Sequence, residues 1–252
     1  MGLVEATGIV TREIKYGDSS RILTVITKEL GRVSVLAGGA RSNKSGLLTV
    51  TQLFTYGEFT LFQGRGKGLY KINSGDILCS FSTLRNSLEA MAYASYFCEI
   101  ANRVILEDSP DPEQMQLLLN TLFLLSENKL PMEQIKGVYE FRTLAVQGLL
   151  PEFSQCSHCQ RTENLTYFDP RENAVYCSSC KDASGQLIAP GSAVLGAISY
   201  IASADAKKVF SFHLPEKSLS YLSQLGEYCL ELQLEKHLKT LDYLKSVCAL
   251  EE

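Results

Sequence analysis

The sequence contains no apolar run long enough to cross a membrane. Its longest strongly apolar stretches, residues 117–125 and 193–202, hold nine and ten residues, and Asn120 interrupts the first. A membrane-spanning helix needs about 20 such residues. The first residues also lack the basic segment, apolar centre and small-residue cleavage site of a secretory signal. We therefore expect a folded protein of the cytoplasm with no membrane span.

Histidine is scarce, and the motifs of several enzyme classes are missing. The three histidines, His158, His213 and His237, stand in no His-x-Glu element, which a zinc deaminase needs beside an open coordination position. The chain also has no nucleophile elbow and no paired-carboxylate motif. These absences exclude the deaminase class and leave little support for catalysis. We expect a protein that is not an enzyme.

Cysteine, in contrast, occurs eight times, and half of these residues are patterned. Cys156-Ser-His-Cys159 and Cys177-Ser-Ser-Cys180 are separated by seventeen residues, a spacing at which two thiolate pairs surround one tetrahedral metal ion. We predict one zinc ion. Four thiolates leave no position for water or substrate, so the ion is expected to be structural. The predicted ligands are Cys156, Cys159, Cys177 and Cys180.

The missing secretory signal and the paired spacing favour reduced thiols over disulfides. Cys79, Cys98, Cys229 and Cys248 lie in apolar sequence, where a thiol usually behaves as a small buried hydrophobe. His158, inside the first cysteine pair, could replace one cysteine as a ligand. Because the set of four is complete without it, we expect a surface histidine there.

The net charge of −4 hides an asymmetry along the chain. Residues 1–80 carry ten lysines and arginines against six acidic residues, whereas residues 81–252 carry fourteen against twenty-two. The first third is therefore cationic, and it is the part suited to a polyanion such as nucleic acid. The acidic remainder is expected to contact proteins rather than DNA.

The first 80 residues have the composition of a β-domain. Between residues 5 and 78, β-branched and aromatic residues form short runs interrupted by glycine, as in 22–27 and 54–62. We predict five or six strands, with residues 28–31 as a hairpin connection. Because no helical pattern separates the strands, a small closed barrel is favoured over a parallel sheet.

After residue 81 apolar residues recur at helical spacing. The residues that mark the first helical face, in a helix extending to about residue 106, are Leu84, Leu88, Met91, Ser95 and Cys98. Further helices are predicted over about 111–128 and 132–148, and amphipathic stretches follow Pro190. The prediction is an α+β protein with two domains. They are a β-barrel over 1–80 and a helical domain over 81–252, with a zinc ribbon inserted at about 151–185.

A glycine-rich loop over residues 38–45 resembles a phosphate-binding P-loop. Asn43, however, stands where that motif has its second glycine, and β-branched sequence follows where a helix would be required. A nucleotide-dependent enzyme therefore stays a weaker alternative. The loop is better suited to a nucleic-acid backbone, because glycine allows close approach and Arg41 and Lys44 can reach phosphates.

A second basic loop, residues 63–68, either contacts nucleic acid or is a plain hairpin loop. Tyr16, Tyr56 and Tyr70 could stack on bases or belong to the barrel core. A zinc-ribbon regulator is another alternative, although no stretch after residue 81 has the clustered basic and amide side chains of a sequence-reading helix. The predicted phosphate contacts are Lys15, Arg21, Arg32, Arg41, Lys44, Arg65 and Lys67.

Several segments, in the same order as in the family, resemble the bacterial recombination mediator family RecO. They are 8–12 (GIVTR), 16–20 (YGDSS), 39–45 (GARSNKS), 65–70 (RGKGLY) and 141–151 (FRTLAVQGLLP), the last of them just before Cys156. The resemblance covers nearly the whole chain. Residues 234–241 also resemble the family's C-terminal helix, where a glycine often stands in place of Glu235 or a neighbour.

The resemblance implies an N-terminal OB-fold, a helical domain with a zinc module, and a non-enzymatic role in recombinational repair. Members of the family bind single- and double-stranded DNA, anneal complementary strands, associate with RecR, and help load RecA onto DNA covered by single-strand-binding protein. An apolar groove near Phe141 and Arg142 could receive the acidic C-terminal tail of that protein, with the arginine pairing a carboxylate. Alternatively, Phe141 is core and Arg142 is solvated.

Overall fold

The structure, a computed structural model, describes residues 2–42, 45–64, 68–150, 153–182 and 187–250. The strands are β1 (Gly2–Tyr16), β2 (Ser20–Thr27), β3 (Gly31–Ala37), β4 (Thr55–Gln63), β5 (Leu69–Ser80), β6 (Leu165–Asp169) and β7 (Ala174–Cys177). The helices are α1 (Leu88–Val104), α2 (Pro112–Glu127), α3 (Met132–Val146), α4 (Ser192–Ser203), α5 (Glu216–Leu234) and α6 (Lys239–Cys248).

The first five strands close into a barrel in the order β1-β2-β3-β5-β4. Neighbouring strands are antiparallel except β3 and β5, which run parallel from the pair Ser34 and Leu69. A five-stranded Greek-key barrel of this order is an OB-fold. The predicted fold class is therefore confirmed: an α+β protein with an N-terminal OB-fold, followed by helices that enclose a four-cysteine module.

Alternation of apolar and polar residues decides which side of each strand faces the barrel interior. In β3, Val33, Val35 and Ala37 are buried, and the residues between them are half-buried. β1 pairs with β4 along its first half and with β2 along its second half. A bulge between Val10 and Arg12 lets this strand bend, so that one strand contributes to both sides of the barrel.

The predicted hairpin connection at residues 28–31 joins β2 to β3. The Thr27 hydroxyl accepts a hydrogen bond from Leu30 N (3.0 Å) and donates one to Gly31 O (2.9 Å). Gly31 has a φ of 68°, and a Cβ at this position would lie 2.7 Å from the carbonyl oxygen of Leu106. Glycine is required here because the backbone is left-handed and the chain after α1 passes directly over the turn.

The first long helix begins later than its apolar pattern predicts. Residues 82–85 form a separate turn of 3₁₀ helix, and α1 starts at Leu88, where the Ser87 hydroxyl accepts a hydrogen bond from Ala90 N (3.2 Å). This serine satisfies one of the four backbone N–H groups that every helix start leaves without a partner. The predicted helix start at Leu84 is therefore wrong by four residues.

α6, at the end of the chain, returns to α1. The Glu99 carboxylate on α1 accepts two hydrogen bonds from Thr240, one from its backbone N (3.0 Å) and one from its hydroxyl (2.7 Å). Leu241, Leu244 and Val247 form the buried face of α6. An acidic side chain from a neighbouring helix thus caps the start of α6, where the helix dipole favours negative charge.

Helices α3 and α5 pack closely because glycine lies at both ends of their contact. A Cβ at Gly137 would come 2.9 Å from Leu222, and one at Gly226 would come 2.6 Å from Glu140 Oε2. Between these points the buried Lys136 Nζ contacts Glu140 Oε1 (2.8 Å) and Glu227 Oε2 (3.1 Å). The helices approach so closely that any larger side chain at either glycine would displace a neighbour.

The compact units of the chain do not follow the barrel and the helices. One unit comprises Met1–Glu127 with Leu238–Glu252, and the other comprises Asn128–His237. α1, α2 and α6 therefore belong to the same unit as the barrel, while α3, α4, α5 and the β6–β7 hairpin form the second. The boundary predicted near residue 80 separates barrel from helices, and as a statement about domains it stays a prediction.

The end of α5 explains the departure noted at Glu235. Leu234 is the last helical residue, and Glu235 has left-handed backbone angles, with φ of 49° and ψ of 26°. Helices commonly end with glycine in this conformation, because glycine has no Cβ to clash with its own backbone. Glu235 therefore occupies, with a Cβ, a backbone conformation that glycine tolerates better.

The remaining cysteines agree only in part with the expectation of burial. Cys98 and Cys229 are buried, and burial raises the pKa of both thiols, that of Cys229 to about 12. Cys248 is half-buried, and Cys79 is exposed on β5, so the prediction was wrong for Cys79. Every helix among the described residues is too short or too polar to span a bilayer.

Candidate metal centre and nucleic-acid interface

The β6–β7 hairpin holds the four patterned cysteines together. Asp169 ends β6, and its Oδ1 accepts hydrogen bonds from the backbone N of Arg171 (2.9 Å) and of Glu172 (3.1 Å). These two bonds stabilise the turn between β6 and β7. Cys177 ends β7, and Cys180 follows on one turn of 3₁₀ helix.

The first cysteine pair lies on a tight turn before β6. Cys156 N donates a hydrogen bond to Arg161 O, Gln160 N donates one to Cys156 O, both at 2.8 Å, and Gln160 has a φ of 59°. Ser157 N also donates to Val175 O on β7 (2.8 Å). These bonds fix the turn against the hairpin, so cysteines that are far apart in sequence are brought together.

The four sulfur atoms form one compact cluster. Every Sγ of Cys156, Cys159, Cys177 and Cys180 lies within 4.8 Å of the other three, and the Cys159 and Cys177 sulfurs are 3.7 Å apart. A tetrahedral ion with metal–sulfur bonds of about 2.3 Å would separate its sulfur ligands by about 3.8 Å. The cluster therefore has the donor type, number and spacing to hold one metal ion.

The hydrogen bonds around the cluster favour thiolate at its buried side. Burial alone would raise the pKa of Cys156, but the backbone N–H groups of Cys159, Cys177 and His158 outweigh burial and lower it to about 6. Cys177 N lies 3.4 Å from Cys156 Sγ. For Cys180, burial and the neighbouring thiols raise the pKa to about 12. A bound cation would lower the pKa of all four thiols, because it stabilises each of the thiolates.

The predicted surface position of His158 matches the structure. The side chain is exposed, and its Nδ1 lies 3.5 Å from Cys180 Sγ. The histidine thus stands beside the sulfur cluster, while the four cysteines themselves form it.

Two of the predicted phosphate-binding arginines are engaged within the fold. Arg21 forms an ion pair with Glu13 (2.6 Å), and its side chain is only 15% exposed. Arg32 Nη1 donates to Asn102 O (2.6 Å) in the last turn of α1, and its Nη2 lies 3.6 Å from Glu107. Both guanidinium groups connect elements of the barrel unit.

Lys15 and Arg41 lie nearer to solvent. Lys15 is exposed at the end of β1, opposite Arg21, and no group among the described residues pairs with its ammonium. Arg41 Nη1 donates to Asp18 O (3.2 Å) and lies 3.5 Å from Gly17 O, while its backbone N donates to Ser19 O (2.8 Å). The glycine-rich loop and the β1–β2 turn are therefore joined through Arg41.

The other three predicted contacts, Lys44, Arg65 and Lys67, lie outside the described residues. Of the tyrosines, Tyr16 is 55% exposed at the end of β1, Tyr56 is half-buried, and Tyr70 is buried in the barrel core. Tyr16 is therefore the one of the three with a ring exposed enough to stack on a base, and it lies at the same end of β1 as Lys15.

Acidic residues lie close together on another part of the barrel, which the sequence pattern did not predict. Glu58 on β4 lies directly opposite Asp76 on β5 and, on its other side, opposite Thr7 on β1. Thr7 N in turn donates to Glu29 Oε2 (2.8 Å). Burial, followed by Glu29 and Glu58, raises the pKa of Tyr56. Every second residue of these strands points outward, but which of these residues are neighbours across the strands can be predicted only once the strand register is known.

Phe141 and Arg142 lie next to each other on α3 but in different surroundings. Phe141 is completely buried. Arg142 Nη1 donates to the carbonyl oxygens of Ile201 (3.1 Å) and Ala202 (2.7 Å), at the end of α4. Arg142 thus satisfies two backbone acceptors that the end of a helix leaves without intrahelical partners. The predicted partner-binding role of the pair remains a prediction.

Comparison with known proteins gives consistent matches along the chain. Residues 1–81 match the family model described as "Recombination protein O N terminal", and residues 85–242 match "Recombination protein O C terminal". The DNA repair protein RecO of Acetivibrio thermocellus is 37% identical over 250 residues, 98% of each chain. That of Caldicellulosiruptor saccharolyticus is 30% identical over 248 residues, 98% of this chain and 100% of the relative.

Proposed function

Because the chain belongs to the RecO family of DNA repair and recombination proteins, we propose that it is a non-enzymatic recombination mediator. It binds single- and double-stranded DNA and anneals complementary strands. The observation that supports this most directly is the closed OB-fold, an architecture that binds oligonucleotides on one face. A nucleotide-dependent enzyme is the weaker alternative, since the described residues after the glycine-rich loop, 46–54, form successive turns before β4 and no regular helix.

DNA meets the barrel on the side of Lys15 and Arg41, and not on the side of Glu58 and Asp76. Two carboxylates paired across neighbouring strands repel phosphate, whereas an exposed ammonium and a loop guanidinium attract it. The partly exposed ring of Tyr16 offers a stacking surface beside Lys15. Holding a strand by its phosphates leaves the base edges accessible, so that a complementary strand can pair while both remain bound.

The seven predicted basic residues differ in what they do. Arg21 and Arg32 support the barrel through their ion pairs and carbonyl contacts. The residues that contact phosphate directly are Lys15, Arg41, Lys44, Arg65 and Lys67.

The test compares DNA affinity at several salt concentrations. We expect Lys15→Ala with Arg41→Ala to reduce the slope of log affinity against log salt by roughly 2, because each lost phosphate contact reduces it by about 1. Annealing of complementary oligonucleotides should slow in parallel. Lys28→Ala, which removes an exposed cation beside Glu29, is the matched control and should leave both unchanged. A double variant with the wild-type slope would remove this face from the mechanism.

The second unit carries the protein contacts. The chain associates with RecR, helps load RecA onto DNA covered by single-strand-binding protein, and receives the acidic C-terminal tail of that protein near Arg142. Its guanidinium lies at the end of α4, where a carboxylate could replace a carbonyl acceptor. Phe141 supports this surface from the core. Calorimetry with the tail peptide tests the site, and Arg142→Ala protein that binds the peptide as well as wild type would end the proposal.

The sulfur cluster binds one structural zinc ion through Cys156, Cys159, Cys177 and Cys180. Thiolate is the ligand that zinc favours in closed sites, and the sulfur spacing suits its bond length. The ion replaces the core that a module of this size lacks. Metal analysis of protein purified without added chelator should give one zinc per chain, and residues 153–182 that keep their structure after complete removal of metal would contradict the proposal. The protein works in the bacterial cytoplasm, in association with the nucleoid.

A further inference from the structure

His158 stands beside the metal centre without belonging to its ligand set. It comes from the first cysteine pair, yet its Nδ1 lies 3.5 Å from the sulfur of Cys180, in the second pair. The β6–β7 hairpin and the turn after β7 bring these two residues together from opposite ends of the module. The contact is therefore a product of the folded module and not of sequence proximity.

The four sulfurs do not have the same surroundings. Cys156 is completely buried, and its Sγ receives the backbone N–H of Cys177 at 3.4 Å. Cys180 is half-buried, and a side chain lies against its sulfur. An N–H group that points at a thiolate withdraws charge from the sulfur and makes it less reactive. The imidazole can donate an N–H hydrogen bond to the sulfur of the partly exposed Cys180, as a backbone amide does to the sulfur of the buried Cys156.

We propose that His158 donates its Nδ1–H to the Cys180 thiolate of the zinc-loaded protein and thereby protects this zinc–sulfur bond, which is half-exposed to solvent. This inference rests on the proposed zinc site. Four thiolates around Zn²⁺ carry a net charge of about −2, so each hydrogen bond donated to them is favourable. His158 acts through Cys180 and is a positioning residue. Its loss leaves four ligands in place but exposes one of them to electrophiles and chelators.

The experiment measures how fast zinc leaves the protein in the presence of N-ethylmaleimide. The sulfur forms a bond to a maleimide carbon, water supplies a proton to the adjacent carbon, and the zinc–sulfur bond breaks. Released zinc is followed with a coloured chelator, and mass spectrometry of peptides gives the share of modification at each of the four ligand cysteines. We expect His158→Ala to release zinc about tenfold faster, the lower end of the effect of losing a partner that orients a metal ligand, with a larger share of the modification at Cys180 than in the wild type.

The conservative variant separates the hydrogen bond from mere shielding. In His158→Asn the amide Nδ2–H takes nearly the place of Nδ1–H, so release should return most of the way to the wild-type rate. His213→Ala removes another exposed histidine of the same unit and should behave like wild type.

Three results would overturn the proposal, and they are distinguishable. Wild-type protein without zinc would remove the metal site itself and this inference with it. Zinc-loaded His158→Ala that releases zinc at the wild-type rate would remove the role of His158 while the zinc site stands. Equal acceleration in the Ala and Asn variants would show that the hydrogen bond is not responsible.

Discussion

Removal of the Glu99 carboxylate should weaken the packing of α6 against α1. Glu99 Oε2 accepts the backbone N–H and the hydroxyl of Thr240, and Oε1 pairs with Arg103 at 2.9 Å. Hydrogen bonds to a charged group contribute ~1.5–3 kcal/mol each, while an ion pair one turn away on the same helix adds only ~0.3–0.5 kcal/mol. Since both Thr240 bonds end on one oxygen, we expect Glu99→Ala to lower the free energy of unfolding by about 3 kcal/mol.

The effect should be visible by heat, by urea and by pH. For a chain of this size, 3 kcal/mol corresponds to a fall in Tm of about 6–12 °C. Burial alone would raise the pKa of Glu99, but the hydrogen bonds from Arg103 and Thr240 outweigh burial and lower it. Because the folded-state pKa of Glu99 is lowered, its carboxylate stabilises the protein at pH values above the unfolded-state pKa of about 4.3. This stabilisation is lost as the pH falls through the folded-state pKa. The difference in the free energy of unfolding between wild type and Glu99→Gln should be largest at pH 7 and should disappear at low pH.

The matched experiment is a double-mutant cycle. Glu99→Gln, Thr240→Val and the double variant, unfolded in urea, isolate the energy of the contact itself. Hydrogen exchange should show α6 amides losing protection in Glu99→Ala, while the β2 and β3 amides keep theirs. If Glu99→Ala changes the free energy of unfolding by less than about 0.5 kcal/mol, as an ordinary surface substitution does, the reasoning that this side chain caps α6 is refuted.

Three further predictions concern the second unit. Chelation of the metal should expose the amides of residues 153–182 to hydrogen exchange while the barrel stays protected, and unchanged exchange would show that the ion is dispensable. Glu235→Gly should raise the free energy of unfolding by about 1 kcal/mol, and with it the Tm, because glycine tolerates the left-handed backbone at the end of α5. Gly226→Ala should cost ~1–3 kcal/mol by forcing a Cβ onto Glu140, whereas Gly196→Ala, which meets open space on α4, should be neutral or stabilising.

Local chemistry made the metal centre predictable. The two cysteine pairs and the seventeen residues between them predicted a compact module with four thiols, because ligand spacing in such modules is set by turns a few residues long. The barrel was predictable for a similar reason, since strand alternation and the turn at 28–31 are encoded within a few neighbouring residues. The structure contains the barrel, the 28–31 turn and the four-cysteine module at nearly the predicted residues.

Long-range pairing was not predictable in the same way. Arg21 and Arg32 appear in the sequence as basic residues available to DNA, but their partners Glu13 and Asn102 are set by strand register and by the position of α1. Cys79 lies in apolar sequence yet is exposed on β5. In each case the role of a side chain depends on which distant residue the fold places opposite it.

The amino-acid sequence by itself determined the elements of this protein: a cationic β-rich third, an acidic helical remainder, and four thiols at metal-binding spacing. These follow from periodicity, turn chemistry and composition, which act over a few residues. Only the tertiary structure decided that α6 returns to α1, that Glu58 and Asp76 lie opposite each other on neighbouring strands, and that His158 lies against the Cys180 sulfur. Those outcomes depend on register, strand order and helix docking, which join residues distant in the chain through the packing of the whole fold.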